Sequence, residues 1–434
     1  MTTSSPPRTL FGHPPGLTVL CLTQTWAEFS FFGLQALLVY YLIHQLQMPQ
    51  ATASLVYGIY GATAYFSPVL GGYLADRLLG RTRSIILGGS LMMFGHFALA
   101  FEPLLYVGLG LVAVGNGLFL PPLAVQIAAL YTESDSRRPQ AFSLYYMGTN
   151  LGGLLSPIVC GTLGETLGWH WGFAAAGIGM LVGMGIYLVF RSHLPVDPAL
   201  QTRSASTREP LTEQDRINLR ILLAIGASVV LFRVGYEQSG NIIALWIDQQ
   251  TDRHIQWFGR TLEIPATWFQ SINPLLIITL TPVLMHFWRK RAELAGPPNL
   301  PRRMALGCLF ASVASLLMVA AAWIHTSTGQ AVSPWWVVAY FVALTLGELH
   351  VIPIGLSLFG TLAPLTIASV IMGSWYIAKF LGSLAAGVMG TTWQTIPHEL
   401  FFMIGAAATL FAALALYWIG RTPARAAEPL PMRG

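Results

Sequence analysis

The chain has 434 residues, 54% of them hydrophobic and only 9% charged, with a mean hydropathy of +0.60. Soluble domains carry roughly 25% charged residues, so this composition excludes a water-soluble globular protein. The formal net charge of +5 and the pI near 9.2 are then explained by basic loops beside a membrane rather than by nucleic-acid binding.

Long apolar runs point to helices, since barrel strands would read as alternating segments of about ten residues. The fold class is all-α integral membrane, with twelve transmembrane helices predicted at roughly 17–46, 51–76, 84–102, 104–131, 139–164, 169–191, 219–248, 262–290, 302–325, 333–361, 365–391 and 398–420. Residues 1–16 hold two proline pairs and no short apolar core with a cleavage site, so a cytoplasmic segment rather than a signal peptide is expected there.

The first span carries Gln24 and Glu28, polar groups that a lipid-facing helix would not tolerate. Between the second and third spans runs G-Y-L-A-D-R-L-L-G-R-T-R, with Gly72, Asp76, Arg77 and Gly80. Its glycines permit a tight turn, and Asp76 can accept from basic residues or helix N-termini. The pattern matches the conformational loop of major facilitators and concerns gating rather than substrate.

The longest polar connection, 192–218, is rich in Pro, Ser, Thr and charge and reads as a cytoplasmic linker. It divides the chain into six-helix halves at 17–191 and 219–420, followed by a tail at 421–434. Two such halves suggest the major facilitator fold, with substrate held near the midplane. No sequence repeat between the halves is visible.

Arg233 and Glu237 in the seventh span have the i,i+4 spacing that lets them meet on one helix face. The eighth span bears Gln270, Ser271, Asn273 and Pro274 in its first half, which marks it as facing protein, water or ligand. Glu348 stands in an apolar tenth span, and Lys379 follows Trp375 by one turn in the eleventh. If Trp375 faces the cavity, Lys379 should too; the other reading is that Lys379 snorkels to the outer surface.

Arg8, Arg77, Arg81, Arg83, Arg137, Arg138, the arginines from Arg191 to Arg220, the cluster from Arg289 to Arg303, and Arg421, Arg425 and Arg433 all fall on one side. Only Arg253 and Arg260 fall opposite, so both termini are expected in the cytoplasm. Cys21, Cys160 and Cys308 lie in apolar spans and read as packing thiols. A phosphate-binding loop of the G-x-x-x-x-G-K-S/T kind and an H-E-x-x-H motif are both lacking, which argues against a primary pump or an intramembrane metalloenzyme; no metal site is expected.

Several stretches resemble the proton-dependent oligopeptide transporters of the major facilitator superfamily. Gln24 to Gly33 is similar to a first-helix signature that usually reads E-x-x-E-R-F-x-Y-Y-G, and Phe142 to Gly152 to the fifth-helix signature. Phe232 to Gly240, Trp268 to Pro274, Gly347 to Ser357 and Gly373 to Trp375 are similar to the seventh, eighth, tenth and eleventh helices.

The resemblance implies a symporter that imports di- and tripeptides, driven by the proton gradient without another cofactor. It also implies a bacterial inner-membrane protein acting as a monomer. Glu348 would receive the peptide amino terminus, with Asn150, Asn273, Tyr65, Trp375, Gln270 and Tyr236 around the peptide. Departures are plain as well: the signature's charged positions here hold Gln24, Ala27 and Glu28, and the usual fourth-helix lysine aligns with Leu120. Lys379 is then expected to bind the substrate carboxylate or to form a gate, and Glu237 and Glu28, with Arg233, to carry proton coupling. The remaining alternatives are a weakly coupled or uncoupled peptide carrier and a carrier of another small zwitterion or anion.

Overall fold

The computed structural model describes residues 12–132, 135–197, 212–257, 259–296, 298–364 and 367–421. Arg8, Arg203, Arg208, Arg425 and Arg433, with most of the linker and the tail, lie outside them. The helices are α1 (Pro15–Tyr40), α2 (Gln50–Leu74), α3 (Arg81–Leu99), α4 (Leu105–Ala129), α5 (Arg138–Leu167), α6 (Trp169–Val189), α7 (Glu213–Tyr236), α8 (Ile242–Gln250), α9 (Ile272–Ala295), α10 (Leu300–Thr328), α11 (Trp335–Thr361), α12 (Ala368–Gly390) and α13 (His398–Ile419). Because α7 and α8 together make one crossing, these form twelve crossings in two groups of six. Nine segments meet a strict standard of length and hydropathy for spanning a membrane among the described residues.

Sequence chemistry sets many of the ends. Proline occupies the first turn of α1, α5 and α10, where its missing N–H leaves no bond unmade. Thr212 and Asp215 form a reciprocal capping box at the start of α7. The turn before α3 passes through Gly80 at φ +78°, a conformation that disfavours any side chain.

Two spans differ from the sequence expectation. The seventh is interrupted by a 3₁₀ turn at Glu237–Gly240, and Asn241 leaves the helical region at φ −111°, ψ −93°. The helix proper of the eighth starts not near 262 but at Ile272. Arg260–Glu263 (β2) pairs instead with His254–Trp257 (β1) in an antiparallel hairpin, and Pro265 then leads into a 3₁₀ turn, Ala266–Ser271. Proline disfavours helix in the residue before it, which explains why the apolar run does not extend the helix backwards.

Each half packs through close glycine contacts, as membrane helices do when no hydrophobic force drives them together. A side chain at Gly88 would come within 2.6 Å of the Gly115 carbonyl oxygen, and one at Gly307 within 2.7 Å of that of Gly347. These contacts join the third and fourth crossings in one half and the ninth and tenth in the other. The internal symmetry therefore survives in packing although the sequence repeat has faded.

Candidate functional site

A cavity of about 320 Å³ lies between the halves, lined by residues of α1, α2, α4, α5, α7, α11 and α12 and of the Ala266–α9 segment. That size lies at the small end of the roughly 300–1,000 Å³ typical of small-molecule sites. Among the described lining residues are three acids, Glu28, Glu237 and Glu348, and two cations, Arg233 and Lys379.

The C-half wall carries four of these charges. Arg233 is ion-paired with Glu237 one helical turn away, both about 3% exposed. A buried charge needs such a partner, since leaving one member alone costs about 3–5 kcal/mol. The Glu348 carboxylate accepts from Asn273 Nδ2 at 2.9 Å, and the same nitrogen lies 2.9 Å from Thr345 Oγ1. Asn273 is presented by the first turn of α9, directly after the 3₁₀ turn that re-aims the chain. From the N half, the Tyr65 ring reaches between the two cations, 4.5 Å from the Arg233 guanidinium carbon and 4.6 Å from Lys379 Nζ. Such distances give a favourable cation–π contact to both.

Lys379 therefore lines the cavity and does not snorkel outward. Trp375 does not accompany it. Its ring is 2% exposed and turns towards α11, 5.3 Å from the Phe359 ring and over Gly355. Tyr376 lines the cavity instead, because the face that α12 shows to the space runs through the i,i+3 pair 376/379 rather than the i,i+4 pair 375/379. Tyr65, Tyr236, Gln270, Asn273 and Glu348 line the cavity with Lys379, Arg233, Glu237 and Glu28. Asn150 stands apart, its amide donating to the Tyr146 carbonyl in its own helix.

Gly72, Asp76, Arg77 and Gly80 are not among the residues that line the cavity and stand at the termini side of α2 and α3. Asp76 is exposed, and Arg77 covers Tyr73. The group that binds the α3 N-terminus is Asp197, which accepts from the Thr82 amide at 2.8 Å. His350 spends both ring nitrogens on packing partners, Trp288 and the Leu346 carbonyl.

On the side away from the termini, the halves are closed by contacts that sequence reasoning missed. Ser54 donates to Asn241 at 2.9 Å, Gln50 to the Gly390 carbonyl at 2.9 Å, and Tyr40 to the Ala244 carbonyl at 3.0 Å. His44 meets Asp248 at 2.8 Å, and Glu165 accepts from the Ala266 and Thr267 amides at 3.0 and 2.9 Å. A lone acid near the end of an apolar fifth span was the available signal for Glu165. Among the described residues, inter-half hydrogen bonds lie at mid-depth or on this side, and none lies on the termini side. The cavity is thus sealed at one end.

Comparison with known proteins agrees with this architecture. Residues 20–387 match the Major Facilitator Superfamily. The chain is 32% identical to the peptide transporter YePEPT of Yersinia enterocolitica subsp. palearctica serotype O:3 (strain YE-P4), over 88% of each chain. It is 30% identical to a di-/tripeptide transporter of Lactococcus lactis subsp. cremoris, over 86% of this chain and 88% of the relative. A crystal structure of a peptide transporter, POT, in complex with sulfate superposes with a TM-score of 0.87 at 30% identity, covering 96% of this chain and 97% of the other.

Proposed function

The chain belongs to the proton-dependent oligopeptide transporter family of the major facilitator superfamily, and from that membership we propose that it carries di- and tripeptides by alternating access, coupled to protons. The carrying observation is the Glu348 carboxylate, oriented by Asn273 at 2.9 Å in a cavity that also presents Lys379. A zwitterionic peptide needs a fixed anion for its ammonium, a compensating cation for its carboxylate and amide partners between them. Glu348, Lys379, and Asn273 with Gln270 supply these in turn.

The positive-inside bias supports termini on the cytoplasmic side of a cell membrane, and on that reading the sealed end faces outward and the cavity releases substrate inward. Coupling is assigned to the Arg233–Glu237 pair. A proton on Glu237 cancels the charge that holds Arg233, and frees the guanidinium to move as the halves rock. The departures of the first helix favour a second reading, an uncoupled carrier, and one experiment separates the two. Proteoliposomes given dialanine should take up protons with the peptide. Glu237→Gln should lose that proton influx and accumulation yet retain peptide exchange down a gradient. Dialanine uptake without proton movement in the parent would select the uncoupled carrier, and no peptide uptake would overturn the transport reading.

A further inference from the structure

The two walls of the cavity are electrically unlike. Among the described lining residues, the C-half wall holds two acids and two cations, whereas the N-half wall holds Glu28 and no cation. Leu120, Pro68 and Asn116, also of that wall, are uncharged. We infer that Glu28 forms a second ammonium site, and that the transporter selects peptides bearing a basic side chain over neutral and acidic ones. This rests on the peptide-transport reading and names the substrate class of that same cavity.

Glu28 is built in rather than loosely placed. Gln24 Nε2 donates to its Oε1 at 2.6 Å from one turn earlier and also reaches Thr149 Oγ1 at 3.4 Å. Gly152 of α5 lies so close that a side chain there would stand 3.1 Å from Glu28 Cβ, so α1 and α5 clasp the base of the side chain. Glu28 is only 9% exposed, and its Oε2 takes no hydrogen bond from the described residues. Among the described residues it has no ion-pair partner: Arg233 is bound to Glu237, and Lys379, on the far wall, acts on it only from beyond salt-bridge distance.

A buried carboxylate that lacks a cation is costly, and a ligand that brings one recovers that cost on binding. The backbone ends of a peptide are already matched on the C-half wall by Glu348 and Lys379, which leaves a side chain to cross the cavity. Phe31 and Tyr146 line the same cavity as Glu28, and aromatic faces attract an alkylammonium. An acidic side chain would instead add like charge to Glu28.

The test is counterflow of labelled dialanine in proteoliposomes without a proton gradient, with Ala-Lys, its uncharged Nε-acetyl-lysine analogue and Ala-Glu as competitors. Ala-Lys should compete about tenfold better than the acetylated peptide, the scale of one partly screened charge pair, and Ala-Glu should be weakest. Glu28→Gln should bring the ratio of the first two to about one. If that variant does not insert, Glu28→Asp, one methylene shorter, should reduce the ratio. Equal competition by both peptides in the parent, or a ratio that survives either substitution, overturns the second site while leaving peptide transport intact. Equal losses for both peptides in Glu28→Gln would put the backbone ammonium on Glu28 and overturn the side-chain assignment. A parent that exchanges no peptide at all overturns the transport reading and the site with it.

Discussion

The distal seal and the cavity beneath it solve opposite problems with opposite chemistry. The seal is largely neutral: a hydroxyl on an amide at Ser54–Asn241, side chains on carbonyls at Gln50 and Tyr40, and the backbones of α2 and α12 touching at Gly58 and Gly387. Each such bond is worth about 0.5–1.5 kcal/mol net, so the group can be broken and remade in every cycle. Its charged contacts are His44–Asp248, between partly exposed side chains where an ion pair contributes only about 0–1 kcal/mol, and the Glu165 carboxylate on the Ala266 and Thr267 amides. The cavity holds Arg233, Glu237 and Glu348 in buried, hydrogen-bonded places, where loss of one partner is expensive. A transporter needs both: an interface that opens cheaply, and a site that loses much of its binding when the wrong group is present.

Substitutions on the two sides should therefore differ in size and in kind. The largest effect belongs to the cavity. Glu348→Gln removes the anion proposed to meet the peptide ammonium and should lower dialanine affinity by about a hundredfold, the scale of a desolvated charge-assisted contact. Equilibrium binding of labelled dialanine to protein shown to be inserted and folded measures this; unchanged affinity would remove Glu348 from the site.

An intermediate effect belongs to the backbone contact of the seal. A side chain at Gly58 would stand 2.5 Å from Gly387 Cα, where neither helix can yield without separating. Gly58→Leu should prevent closure and slow uptake by about tenfold, while leaving affinity for dialanine little changed, since packing faults of this type cost about 1–3 kcal/mol. A cysteine placed at Gln270, which lines the cavity, should react faster with an impermeant maleimide added from the outside in the Gly58→Leu background than in the parent. Equal labelling in both backgrounds would show that this contact does not close the outer end.

The smallest effect is expected at a single neutral bond. Ser54→Ala loses the hydrogen bond to Asn241 and should alter uptake by no more than about fivefold, the equivalent of roughly 1 kcal/mol. A loss as large as that of Glu348→Gln would mean that the seal is not built from individually weak contacts.

The parts of the molecule legible in the sequence are those fixed by local chemistry and solvent. Apolar runs long enough to cross a bilayer determined the helices, and the spacing of Arg233 and Glu237 determined their pairing, because both depend on neighbours within one helix. Glu348 and Asn273 could be singled out by the cost of leaving polar groups in lipid, although not which atoms would meet.

Tertiary structure decided the rest. Trp375 and Tyr376 are adjacent in sequence, and only the position of α11 makes the first a packing residue and the second part of the cavity. Asp197 rather than Asp76 binds the α3 N-terminus because the chain after α6 returns to that point. Ser54 is unremarkable in sequence and Glu165 stands out only as a lone acid, and both acquire their roles only where the two halves meet. Composition and periodicity record what each helix asks of its solvent. Which face meets a partner helix, and which meets the cavity, is set by contacts between residues far apart in the chain, and a single sequence carries no local signal for those.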